Sequence, residues 1–153
     1  MYKGLHKFMR HIILLMLIIL PVTTHSYELL TKNTKNDIQK ESRLFFITPK
    51  NGDRVTSPLK IVFGIEGMQI VPAGINKPMS GHHHLLINIK NLPNMKMPIP
   101  ADKNHLHFGK GQTEVLLHLP KGDHTLQLLL GNYLHIPHTN PLLSEKIEIT
   151  VIK

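Results

Sequence analysis

The sequence predicts an all-β fold, an immunoglobulin-like two-sheet antiparallel sandwich of about seven strands behind a cleaved signal peptide. Three observations predict it. From Arg43 onward short apolar runs alternate with clusters of Gly, Pro and Asn. The last run sets Ile147, Ile149 and Val151 against Glu148, Thr150 and Ile152, the two-residue period of a half-buried strand. No sustained 3.6-residue period competes. A closed barrel is the alternative reading of the same pattern.

The elements follow in chain order. Residues 1–26 read as an export signal: Lys3, Lys7 and Arg10 form a basic start, Ile12 to Leu20 is unbroken and apolar, and Thr24-His25-Ser26 offers a cleavage site. Pro21 ends the apolar run well short of the roughly 20 residues a spanning helix needs, so cleavage, rather than a retained anchor, is expected. No stable membrane span should remain after it, and the mature protein is expected to be exported and periplasmic. Residues 27–42 are rich in Lys, Asn and Thr and poor in apolar groups, which suits a flexible lead-in. Residues 43–153 form the β domain, with strands expected at 44–48, 59–65, 83–89, 105–108, 113–119, 124–130 and 145–152. Turns fall at "PKNGD", "LPKGD" and "GNYLHIPHTNP". Two segments, Gly67 to Gly81 and Asn91 to Asn104, are longer than hairpins require, and such loops are where function concentrates.

Composition narrows the chemistry. The 153-residue chain has no cysteine, so disulfides and thiolate ligands are excluded, and a metal would have to be held by His, Met or carboxylate. The formal charge of +8 includes the three cations of the signal. With three Tyr, five Phe and no Trp, and no basic run interleaved with aromatics, the chain lacks the features of a nucleic-acid binder.

Histidine carries the signal. "SGHHHLL" places His82 and His84 on one face of a strand with Leu86 and Asn88, and His83 on the other with Leu85, Ile87 and Ile89. "NHLHFG" repeats the spacing with His105 and His107 opposite Leu106 and Phe108. Same-face neighbours lie about 6.5 Å apart and cross-strand neighbours about 5 Å, so two such strands, if paired, would converge imidazoles on one ion. "HIPH" adds His135 and His138 from a loop. His82, His84, His105, His107, His135 and His138 are therefore the candidate metal ligands, with copper or zinc as the ion. Met68, Met79, Met95 and Met97 in the two long loops would bias a shared site toward copper, although methionine also fills irregular core gaps. Glu114 is the acid expected to serve as a ligand or to support one. His118 reads as a surface residue, and His124 heads a strand with Leu126, Leu128 and Leu130 buried.

Two other readings stand beside metal binding. The rings could instead cap strand ends in a satisfied polar network, making the domain an envelope interaction or structural module with a protein partner. Three histidines with a bound water would suit a metalloenzyme, but no catalytic residues are assigned. "GKGQTE" lacks phosphate-loop spacing, and Ser80 sits in no G-x-S-x-G elbow, so neither a nucleotide site nor a hydrolase triad with Asp102 or Asp123 is expected.

The stretches "VFGIEGMQIVPAG", "GHHHLLI", "HFGKGQTE", "HTLQLLLG" and "HIPH" resemble an uncharacterised bacterial exported family, domain of unknown function 4399, over about Leu44 to Ile152. The resemblance implies an exported β-rich domain whose shared motifs include the histidines at 82–84, 105, 107, 124, 135 and 138. It assigns them no role. It also implies an acidic residue where this chain has Asn88 and Asn132.

Overall fold

Alternating side chains build two sheets around one core. In the computed structural model, which describes residues 41–153, nine strands are formed: β1 Arg43–Thr48, β2 Arg54–Val55, β3 Leu59–Glu66, β4 Gln69–Ile70, β5 Ser80–Ile87, β6 His105–His107, β7 Glu114–Leu117, β8 Gly122–Gly131 and β9 Ile147–Val151. The expected signal peptide, and all but the last two residues of the expected lead-in, lie outside the described residues. Among the described residues no helix is long and apolar enough to cross a membrane.

A three-stranded sheet runs β1-β3-β7. A six-stranded sheet runs β2-β9-β8-β5-β4, with β6 also paired to β5. Leu44 and Phe46 from β1 and Leu59, Ile61 and Phe63 from β3 face Leu85, Ile87, Leu126, Leu128, Leu130, Ile147 and Ile149 of the larger sheet in one buried cluster. Every second residue of β1, β3, β8 and β9 points into it, as two packed sheets require.

Three expectations need correction, and the alternative of a closed barrel falls away. Nine strands replace about seven, because β2 and β4 are two-residue pairings with no period to read. The sheets are not wholly antiparallel: β2 runs parallel to β9 and β4 parallel to β5. The sheets are separate, not a closed barrel. The histidine strand covers 80–87 instead of 83–89, since Asn88 adopts a left-handed φ of 56° and its Oδ1 accepts the Thr125 N–H at 2.9 Å.

β5 positions the site. All eight of its residues are buried, which a strand with one solvated face cannot achieve. His83, Leu85 and Ile87 look into the sandwich, where the His83 ring lies 5.0 Å from the Phe63 ring. On the opposite face Leu86 joins Leu129 of β8 and Ile99 in a second buried cluster, with Met95 and Leu143 packed against it. Two loops thus roof the outer face of the sheet. They are joined by a hydrogen bond from the Ile99 N–H to the His135 carbonyl at 2.9 Å.

Candidate metal centre

Four imidazoles come together on the roofed face. β5 supplies His82 and His84, and the antiparallel pairing of β5 with β6 sets His84 directly opposite His107. The two H-x-H strands are neighbours. The fourth ring is His135, from the turn after β8. That turn is shaped by Asn132, whose Oδ1 accepts the Leu134 N–H at 2.8 Å and the Ile136 N–H at 3.1 Å. His135 itself sits at a φ of +66°, a conformation that costs a non-glycine residue about 1 kcal/mol or more.

Ring centroids lie 5.0 Å apart for His82–His84, His82–His107, His82–His135 and His84–His107, and 4.7 Å for His107–His135. His84 and His135 are farther apart, at 6.2 Å. One ligand nitrogen each from His82, His107 and His135 falls within 4.8 Å of the other two. His84 Nε2 and His82 Nε2 are 3.1 Å apart, so one ring donates its proton to the other. Two nitrogens bound to one tetrahedral ion at 2.0–2.1 Å would be about 3.3 Å apart, so these nitrogens, within 4.8 Å of one another, would draw closer around an ion.

Two glycines make room for these rings. A Cβ at Gly131, which pairs with His82, would stand 2.8 Å from His84 Nε2 and 3.4 Å from the His135 Cα. A Cβ at Gly109 would collide with the His107 ring, 2.5 Å from its Nε2. Neither glycine was legible as a site residue, because the demand arises from strands distant in sequence.

The electrostatics favour neutral rings. Burial, with smaller contributions from His107 and His135, pushes His82 down to about 4. Burial and the surrounding rings push His84 to about 3. His107, exposed at the rim, is lowered by partial burial and by His135. Neutral imidazole is the metal-binding form. Nδ1 of both His82 and His84 is buried without a hydrogen-bond partner.

The chain matches the family described as a domain of unknown function, DUF4399, over residues 61–152. It belongs to this family. The match runs from within β3 through β9 and includes every ring of the cluster. No curated protein and no solved structure matches the chain.

The remaining candidates of this DUF4399 domain make other contacts. His105, though on the same strand face as His107, turns its Nδ1 to Asp102 Oδ1 at 2.9 Å across a tight turn. His138 keeps a buried Nε2 without a partner, and burial lowers its pKa against a hydrogen bond with the Ser80 backbone. It is not among the rings in contact. Glu114 is not beside the site: it lies on β7 in the smaller sheet and pairs with Lys60 at 3.0 Å. Met68 and Met95 pack against the two apolar clusters, while Met79 and Met97 are exposed. Asn88 holds His124, its Nδ2 lying 3.0 Å from the ring Nδ1, and His118 is exposed as expected.

Proposed function

We propose that this domain binds a transition-metal ion through His82, His107 and His135, with His84 behind them holding the His82 ring. The observation that carries this reading is the convergence of three ligand nitrogens within 4.8 Å. The network alternative requires satisfied rings, and the partnerless Nδ1 atoms of His82 and His84 weigh against it. An all-imidazole set suits zinc or copper. We read the two-sheet frame as immunoglobulin-like and the domain as exported and periplasmic, where it would hold or deliver the ion.

Calorimetric titration of the purified protein with Zn(II), Cu(II) and Cu(I) tests the reading. Wild type should bind one ion per chain. His107→Ala, which removes an exposed ring, should weaken binding at least roughly tenfold while leaving the fold intact. Absence of stoichiometric binding of all three ions by folded wild type would refute it.

A further inference from the structure

The cluster has an inside and an outside. His84, 1% exposed, lies at the inner side and bonds to His82, whereas His107 is exposed at the rim. An ion drawn to His82, His107 and His135 therefore has three protein ligands and one direction facing solvent. Gly109 keeps the rim beside His107 free of a side chain.

Charge then decides what fills that direction. Three neutral imidazoles leave a divalent ion with its full charge in a partly desolvated position. Residues 67–113, which supply two of the three rings, contain Lys77, Lys90, Lys96, Lys103 and Lys110 but a single acid, Asp102. That carboxylate is already engaged: Oδ1 accepts from the backbone N–H groups of Asn104 and His105 and meets the His105 ring. Residues 131–140, which supply the third ring, have no charged side chain. The segments that supply the rings carry more cationic than anionic side chains, and the ligand set is neutral.

Resting on the metal-binding reading above, we propose that the metal held by His82, His107 and His135 takes a small anion from solution as its fourth ligand. The occupant is an anionic oxygen or nitrogen donor, such as a carboxylate or a pseudohalide, in preference to a neutral one. The net positive charge of these segments favours an anion over a neutral donor, and coordination of an anion neutralises part of the ion's charge.

The test uses the full chain loaded with Co(II), whose ligand-field bands report coordination. Appearance of those bands on loading examines the metal-binding reading separately. Sodium azide, added at constant ionic strength, should shift the bands saturably, and neutral imidazole at equal concentration should do so at least roughly tenfold more weakly. Bands that form on loading but do not respond to azide would overturn the proposal, since His84 or another protein group would then fill the fourth position. A response to imidazole at lower concentration than azide would also overturn it.

Discussion

His83 provides the sharpest test of how burial acts here. Its ring is 0% exposed, neither nitrogen has a hydrogen-bond partner, and burial followed by the nearby His82 pushes its pKa from 6.5 to about 4. His83→Leu replaces it with an apolar side chain of similar volume. Leaving a buried polar group unsatisfied costs about 1–3 kcal/mol, and loss of the ring contact with Phe63 returns about 0.5–1.5 kcal/mol. The variant should therefore be more stable near pH 7.5 by about 1 kcal/mol. Acid should widen the gap. Because the folded-state pKa is depressed, the unfolded chain binds a proton that the folded chain refuses between about 4 and 6.5, so wild-type stability falls as pH falls through that window. One ring contributes about 3 kcal/mol across it. Urea denaturation at pH 7.5 and pH 5 would show the variant's midpoint higher at both and the difference larger at pH 5. A variant less stable at pH 7.5, with a difference that does not grow on acidification, would refute the reasoning.

The other predictions concern the cluster. Gly131→Ala should weaken Zn(II) or Cu(II) binding at least roughly tenfold in calorimetry, because its Cβ would displace His84 and crowd His135. His105→Ala should leave the metal affinity within about twofold, since that ring is held by Asp102 outside the cluster. Asn132→Ala should weaken binding several-fold and raise amide exchange at Leu134 and Ile136, whose N–H groups lose their acceptor. With His82 and His84 lowered to about 4 and 3, the metal-free protein should lose stability progressively below pH 6.5, and thermal melts that stay flat from pH 7 to 4 would contradict the burial of these rings.

Period and composition were enough to read a β domain from Arg43, an inward His83, and two H-x-H strands that could bring rings together if they paired. Those features depend on neighbours two residues apart, and alternation along a strand encodes which face a side chain takes. The β5–β6 register, which puts His84 opposite His107, came from packing across the sheet. So did the arrival of His135 beside His82, His84 and His107: Asn132 and the Ile99–His135 hydrogen bond bring a distant loop over the sheet, while a four-residue turn gives Asp102 to His105. Gly109 and Gly131 matter only because rings from other segments occupy the space beside them. Local pattern specifies which residues can face a site, but long-range contacts choose which rings arrive, because burial and hydrogen bonding are settled between segments that no short window contains.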